Sequence, residues 1–110
     1  MKIREIVESL EGELLVGDEN VEIERVEASD LMSDVLAFFE EGTALITSLT
    51  SPQVIRTAVI VGVPLVVFVR GKAVPDEVLS MAEDSEIAIV RTEYSMFKAC
   101  GILYSKGMKA

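Results

Sequence analysis

Three runs of apolar residues alternate with helix-like segments along this chain, and each run ends in a hydroxyl or an arginine. They cover residues 44–48, 65–70 and 87–91, so their last residues are 22 and 21 positions apart (48 to 70 and 70 to 91). This spacing is typical of strand–helix units, which form a parallel sheet with helices on its faces. Open sheets of this kind bind ligands beyond the carboxyl ends of their strands. The pattern predicts a mainly parallel α/β fold and the edge that carries the site.

The segment before these runs predicts one helix and two short strands. The helix has a single apolar stripe, with acids opposite it, formed by Ile3, Ile6, Val7 and Leu10. Residues 14–16 and 21–23 are strand candidates separated by a polar turn. We expect these strands either to form a hairpin or to pair elsewhere at the edge of the sheet.

The next helix is predicted over residues 31–41. Asp30 precedes it as a candidate N-cap, and Gly42 suits the left-handed position that follows a helix. The apolar stripe of this helix is formed by Met32, Val35, Leu36 and Phe39.

Three further helices follow the apolar runs. Ser51 and Pro52 form a strong helix start, and that helix ends at Gly62. Because its apolar residues cover more than one face, we expect it to be buried on two sides. Another helix begins at Pro75 with acids in its first turn, and the last runs from residue 93 or 94 to residue 106.

The composition is apolar for a chain of this size. Half of the 110 residues are hydrophobic, and the mean hydropathy is +0.40. A single small domain spanning residues 1–110 has a limited core, so we expect the remaining apolar surface to be covered in a homodimer. The helix after Ser51 and the last helix are the most apolar, and one of them is expected to form the interface.

The longest apolar stretch does not predict a membrane span. It covers residues 58–69 and contains Gly62 and Pro64, whereas a span needs about 20 apolar residues. The first residues form a mixed-charge helix rather than a signal peptide. We therefore expect a cytoplasmic protein.

Residue types exclude several kinds of chemistry. One cysteine and no histidine rule out an internal disulfide, a Cys/His zinc site and histidine-based catalysis. The chain has no P-loop motif and no carboxylate cluster with metal-ligand spacing. We therefore expect no catalytic residue, no metal and no cofactor. A small enzyme would have to use Arg70, Glu93 or Tyr94 without histidine or metal.

Charge is unevenly distributed along the chain. The formal net charge is −9, and residues 1–41 hold 13 acids and 3 bases against 6 acids and 7 bases in residues 42–110. Without a basic stripe, binding to nucleic acid is not expected. The acidic third is either a solvated face or a surface that docks to a basic partner such as an enzyme or kinase. The second possibility is our alternative function, an interaction module without a ligand.

Polar residues at the predicted strand ends are the candidate binding site. They are Ser48, Thr50, Ser51, Arg70, Gly71, Lys72, Arg91 and Thr92. The amides at the start of the helix after Ser51 attract anions, and arginine can hold phosphate or carboxylate with two parallel hydrogen bonds. A small anionic metabolite or a nucleotide would fit. Alternatively, Ser51 only caps its helix and both arginines pair with surface acids.

The order of elements and two local phrases resemble a known family. Residues 63–79 (VPLVVFVRGKAVPDEVL) and 89–95 (IVRTEYS) are similar to the DRTGG domain and to the N-terminal domain of HPr kinase/phosphorylase. The similarity covers nearly the whole chain. The family is named for an Asp-Arg pair after one strand and Thr-Gly-Gly after the next. Here residues 48–51 and 69–72 hold those places with a degenerate signature that keeps one glycine.

The resemblance implies a regulatory domain rather than an enzyme. DRTGG domains occur beside nucleotide-sensing CBS pairs and in front of phosphotransacetylase and kinase domains, as ligand-sensing or dimerising modules. The kinase domain of HPr kinase is absent from this sequence, so the resemblance implies no kinase activity. We expect a non-catalytic regulatory domain, homodimeric, that senses a small anionic metabolite or nucleotide.

Overall fold

Five strands form one mixed sheet in the computed structural model, which describes residues 1–110. The strands are β1 (Glu13–Val16), β2 (Arg25–Ala28), β3 (Thr43–Thr47), β4 (Leu65–Phe68) and β5 (Ala88–Arg91). Their order across the sheet is β1-β5-β4-β3-β2. Strands β2 to β5 are parallel to one another, and β1 is antiparallel to β5. The predicted α/β fold with short N-terminal strands at the edges is confirmed.

Five helices cover the two faces of this sheet. They are α1 (Ile3–Ser9), α2 (Met32–Phe38), α3 (Pro52–Val61), α4 (Asp76–Asp84) and α5 (Met96–Ser105). Helices α1 and α5 enclose one apolar core, and α2, α3 and α4 enclose the other. Every residue of β3 and β4 is buried, because helices cover these strands on both faces, and the residues between Thr43 and Thr47 in β3 and all of β4 are apolar, as expected for such strands. The longest helix has ten residues, and no helix has the length and apolar character needed to cross a bilayer.

The predicted second strand lies in the wrong place. The structure forms β2 at Arg25–Ala28, not at residues 21–23, and β1 and β2 lie at opposite edges of the sheet, so they do not form a hairpin. Residues 21–23 instead bond to the start of the chain, where Ile3 N–H donates to Val21 O at 3.0 Å and Ile23 N–H donates to Met1 O at 2.8 Å. Ile23 is therefore buried against α1 rather than within the sheet.

Helix α2 is shorter than predicted and is capped differently. It ends at Phe38 rather than at residue 41, and Leu31 holds the N-cap position without a side-chain cap. Asp30 is therefore not the cap, because its carboxylate turns toward the end of β3. Gly42 does have the expected left-handed conformation, with φ of 89°.

Helix α3 begins and ends where predicted, but the expected cap is wrong, and burial of this helix on two sides stays a prediction. Ser51 holds the N-cap position, yet its side chain makes no capping hydrogen bond. Within the chain α3 is buried on one side only, since Val59 is 54% exposed and Ile60 is 74% exposed. The last helix, α5, starts at Met96, slightly later than expected, because Ser95 caps it by accepting a hydrogen bond from Lys98 N–H at 3.2 Å.

Candidate functional site

The carboxyl ends of β2, β3, β4 and β5 meet at one edge of the sheet, as parallel strands require. We call the residues there the polar edge. It consists of Asp30 after β2, residues 48–51 after β3, residues 70–72 after β4, Arg91 at the end of β5, and residues 93–94 after β5. The antiparallel β1 begins at the same edge, so Glu11, Gly12 and Glu13 join it.

Asp30 ties the ends of β2 and β3 together. Its Oδ1 accepts hydrogen bonds from Thr47 Oγ1 at 2.8 Å and from Ser48 N–H at 2.7 Å, and its Oδ2 accepts one from Ser48 Oγ. Partial burial tends to raise the pKa of Asp30, but the bonds from Ser48 and Thr47 and the charge of Lys72 outweigh it and lower that pKa overall. Asp30 is therefore an ionised anchor at the polar edge.

Sequence reasoning missed Asp30 at this edge. It follows β2 as Ser48 follows β3, so its position in the strand–helix repeat was a usable signal. Because the second strand was predicted at residues 21–23, Asp30 did not directly follow a predicted strand. It was therefore interpreted as the N-cap of the next helix.

Lys72 reaches from the turn after β4 to the loop after β3. Its ammonium Nζ donates a hydrogen bond to Ser48 O at 2.8 Å, beside the Asp30 carboxylate whose pKa its charge lowers. An ammonium has three donors, and this bond uses one. The structure thus brings two of the predicted site residues, Lys72 and Ser48, into contact.

Arg91 holds the turn after β4 against the start of β1. Its Nε donates to Lys72 O at 3.0 Å and its Nη2 to Gly71 O at 2.8 Å, while its Nη1 pairs with Glu13 Oε1 at 2.8 Å. A second carboxylate, that of Glu93, lies 3.7 Å from Nη2. The expectation that arginines pair with acids therefore describes Arg91, whose guanidinium is occupied within the chain.

Thr92 does not line the polar edge, although it was predicted to. Its side chain is buried, and Oγ1 donates to Leu10 O at 2.7 Å and accepts from Tyr94 N–H at 3.2 Å. These bonds join the loop after β5 to the end of α1. Thr92 directly follows β5, and its side chain points into the core. Its hydroxyl therefore connects α1 with the loop after β5 instead of facing the surface.

The turn at Arg70 and Gly71 is left-handed, with φ of 67° and 62°. The two backbone amides donate to Tyr94 O at 2.8 Å and to Thr92 O at 2.9 Å, so they do not face a ligand. A side chain at Gly71 would meet the carboxylate of Glu93, because an added Cβ would lie 1.8 Å from its Oε2. Gly71 therefore shapes the turn, while the exposed Arg70 side chain makes no ion pair or hydrogen bond.

The loop between β3 and α3 carries hydroxyls that no residue of the chain engages. Ser51 is exposed and Thr50 is half-buried, and the side chain of neither residue is hydrogen-bonded within the chain. Helix α3 begins directly after Ser51 with Pro52, which has no N–H. Val54 N–H donates to Ser51 O at 3.1 Å, so Gln53 supplies the free amide at the start of the helix. Lys72 touches this loop at Ser48, so the β3–β4 side of the polar edge combines positive charge with free donors.

The other side of the polar edge is acidic. A hollow of about 160 Å³ lies between β1 and β5 and is lined by Glu11, Gly12, Glu13, Arg91 and Glu93. Tyr94 donates its hydroxyl proton to Glu11, and this hydrogen bond raises the pKa of the Tyr94 hydroxyl. Because three carboxylates surround one arginine there, an anion is favoured at the β3–β4 side instead.

Two further features lie apart from this site. An apolar cavity of about 160 Å³ between α5 and strands β2 and β3 is lined almost entirely by hydrophobic side chains, including Cys100, and by none of the predicted site residues. Burial raises the pKa of the Cys100 thiol.

No group of three or more His, Cys, Asp or Glu residues is arranged to hold a metal ion.

A solved structure is similar to the chain over nearly its whole length. That structure contains the CBS and DRTGG domains of the regulatory region of Clostridium perfringens pyrophosphatase, complexed with its activator diadenosine tetraphosphate. The TM-score is 0.80 at 17% identity, over 93% of this chain and 45% of that chain. Our chain thus spans less than half of that region, and a likeness at this identity shows the fold alone.

A family model identifies the chain more directly. The model of the DRTGG domain matches residues 5–105, which include every strand, α1 from its third residue, and all other helices. No curated protein matches the sequence. The resemblance inferred from the sequence is confirmed, and the chain belongs to the DRTGG domain family.

Proposed function

We propose that this domain is a non-catalytic regulatory module that binds a small anionic metabolite or a nucleotide at the polar edge, and that it works as a homodimer. Two comparisons support the regulatory role. The chain belongs to a family with a member in the regulatory region of a pyrophosphatase, and that region was crystallised with a nucleotide activator. The cytoplasmic location expected from the sequence stays a prediction.

The contact between Lys72 and the β3–α3 loop carries this proposal. The ammonium lies 2.8 Å from Ser48 O, at the approach to the start of α3. Two of its N–H donors remain for an anion. The Ser51 hydroxyl and the unpaired Arg70 guanidinium are further donors on the same side of the edge, and charged donors make the stronger hydrogen bonds to phosphate or carboxylate.

Arg91 supports this site indirectly. It bonds to the carbonyl oxygens of Gly71 and Lys72 and so fixes the turn from which the Lys72 side chain extends. We therefore assign Arg91 the role of a positioning residue and Lys72 and Arg70 the role of ligand contacts.

The carboxylate at the site suits a structural role better than catalysis. Asp30 accepts three hydrogen bonds, and its pKa is lowered. A general base or acid works best with a pKa near the operating pH, which a lowered carboxylate pKa moves away from. This observation supports a binding site rather than an active site.

Thermal unfolding with a panel of ligands tests the proposal. The panel contains diadenosine tetraphosphate, ATP, AMP, inorganic phosphate and small carboxylates. A ligand at about 100 times its dissociation constant stabilises the folded state by about 2.7 kcal/mol, which raises the melting temperature of a domain this size by roughly 10 °C or more. We expect one class of ligand to give such a shift, and Lys72→Ala and Arg70→Ala to remove it.

The matched control is Lys106→Ala. Lys106 is an exposed base directly after α5 with no ion-pair partner, so its loss changes the net charge as Arg70→Ala does but leaves the polar edge intact. We expect this variant to keep the full shift. A panel without any shift, or a shift that Lys72→Ala and Arg70→Ala both retain, contradicts binding at this site.

A further inference from the structure

Exposed apolar side chains gather on the surface formed by α2 and α3, which we call the α2/α3 surface. Phe38 is 73% exposed and Ile60 is 74% exposed. Leu31, Leu36 and Val59 are each at least half exposed on the same two helices or directly beside them. The helices lie side by side, and their carboxyl ends are joined because Gly42 N–H donates to Gly62 O at 2.9 Å. A large exposed apolar patch of this kind is typical of an interaction site.

The charge of this surface fits a second copy of the chain. Helix α2 contains one acid, Asp34, and α3 contains one base, Arg56, and one exposed acid, Glu41, lies beside the end of α3 at Gly62. By contrast, α4 carries four acids and no base, and the whole chain carries a net charge of −9. Two copies repel each other through that net charge, and the repulsion is smaller where surfaces with few charges meet.

Neither charged residue of these two helices has an ion-pair partner within the chain. Asp34 is the third residue of α2 and Arg56 is the fifth residue of α3. The two helices follow neighbouring parallel strands that pair in register, so both begin near the polar edge. The offset of two residues corresponds to about 3 Å along a helix, which places the two side chains at similar heights.

The size of the molecule favours a two-helix surface over a single-helix stripe. A standard interface buries about 800 Å² on each partner, and the Cα atoms of this domain span 30 × 27 × 24 Å. An interface of that size therefore needs most of one face. The other exposed aromatic residues, Phe97 and Tyr104, lie on the single helix α5 on the opposite side of the sheet, with Lys98 and Lys106 beside them.

We propose that the α2/α3 surface is the homodimer interface, with a second copy of this chain related by a two-fold axis that runs along the cleft between α2 and α3. Each α2 then packs on the other copy's α3, and Asp34 of one copy meets Arg56 of the other twice. This inference rests on the homodimer in the proposed function. Phe38 and Ile60 lie in the last turns of their helices, away from the polar edge, so the dimer leaves that edge open.

Sedimentation equilibrium of the full chain and two matched variants tests the interface. We expect the wild type to be a dimer and Ile60→Glu to raise its dissociation constant by about 100-fold or more, since it places a charge at the centre of an apolar contact. Phe97→Glu is the control, because Phe97 is 90% exposed on the opposite layer. We expect that variant to stay dimeric. Circular dichroism of both variants checks that they fold.

A charge exchange tests the two-fold axis. Asp34→Arg and Arg56→Asp are each expected to weaken the dimer by about tenfold, and the double variant to restore it, because the exchange regenerates both pairs. No recovery in the double variant overturns the α2-on-α3 arrangement.

Two outcomes overturn the interface as a whole. If Ile60→Glu stays dimeric, or if only Phe97→Glu dissociates, the α2/α3 surface is not the contact, although the homodimer stands. A wild-type chain that is monomeric at high micromolar concentration overturns the interface and the homodimer together. Ligand binding is measured separately by the melting shifts, so its failure is distinguishable from either result.

Discussion

Two side chains at the polar edge, Asp30 and Arg91, each join elements that are distant in sequence. Asp30 binds the end of β3 from the end of β2, and Arg91 binds both the turn after β4 and Glu13 at the start of β1. Both side chains are charged and make several hydrogen bonds. Such charge-assisted hydrogen bonds contribute most to the stability of the fold when they are partly shielded from water. Their contributions to stability can be separated from ligand binding by substitution.

Replacing the Asp30 carboxylate tests its role as an anchor. At pH 7 we expect Asp30→Asn to lower the free energy of unfolding by about 1 kcal/mol, because an amide accepts fewer and weaker hydrogen bonds than a carboxylate. The folded state lowers the pKa of Asp30, so its stabilisation is present above the unfolded pKa of about 3.9 and is lost as the pH falls through the folded pKa. Urea unfolding at a series of pH values measures the difference.

Asp84→Asn is the control for this series. Asp84 ends α4 and is exposed with no ion pair, so its replacement is expected to change stability by less than about 0.5 kcal/mol. An Asp30→Asn variant as stable as the wild type at pH 7, or a difference that persists at the acid end, contradicts the anchor role.

The guanidinium geometry of Arg91 gives a second residue-scale prediction. Arg91→Lys is expected to lower the free energy of unfolding by about 1–2 kcal/mol, because a single ammonium cannot reach Lys72 O, Gly71 O and Glu13 together. Urea midpoints measure the loss. Arg4→Lys, at an exposed arginine whose side chain makes a single hydrogen bond, to Asn20 Oδ1 at 3.1 Å, is expected to leave the midpoint nearly unchanged, and equal midpoints for the two variants would refute the positioning role.

At the scale of elements, the sequence predicts the ends of a helix or strand correctly where the adjacent residues alone determine them. The proline after Ser51 and the left-handed Gly62 bound α3 as expected. The positions of β2 and the end of α2 differ from the prediction. Residues 21–23 alternate like a strand, but their backbone partners are residues 1 and 3 of the chain, a pairing that alternation alone does not specify.

The junction of β1 with β5 offers an element-scale test at Gly17. This glycine has φ of 109°, and an added Cβ would lie 2.7 Å from Ala88 Cβ and 2.9 Å from Ala88 Cα. Since a backbone atom cannot move aside as a flexible side chain does, we expect Gly17→Ala to lower the free energy of unfolding more than φ strain alone. Gly42→Ala is the control, because Gly42 has φ of 89° with open space around its Cβ position.

The control is expected to cost about 1 kcal/mol for the positive φ alone, and Gly17→Ala about 2 kcal/mol more for the close contact. Denaturant unfolding of both variants measures the two values. Equal losses would mean that β1 shifts to relieve the contact and that its junction with β5 is loosely held.

At the scale of the whole molecule, the fold distributes the acidic first third around the domain. Helix α1 lies on one face and α2 on the other, while β1 and β2 lie at opposite edges of the sheet. Several of these acids are engaged within the chain, as Glu13 is with Arg91 and Glu40 with Arg25. Docking through these acids stays a prediction. The α2/α3 surface, which has one acid and one base on its helices and Glu41 beside them, is better suited to a second copy of this acidic chain.

The pattern of apolar residues was sufficient by itself to determine the three central strand–helix units and the edge at which polar groups collect. Each unit is formed by segments that are adjacent in sequence, and its strand is buried on both faces. Both properties can be recognised in the order of apolar and polar residues along the chain. Ser48, Arg70 and Lys72 were proposed as site residues for the same reason, since each lies within four residues after a buried strand.

Only the tertiary structure decided what the residues at that edge do. Arg91 bonds to Glu13, 78 positions away, and Thr92 bonds to Leu10, 82 positions away. Which strand lies beside β5, and hence which charges neutralise Arg91, follows from the packing of the whole chain and has no local signature. The same packing makes Asp30 a strand anchor rather than a helix cap, and it leaves Phe38 and Ile60 exposed on the neighbouring helices α2 and α3.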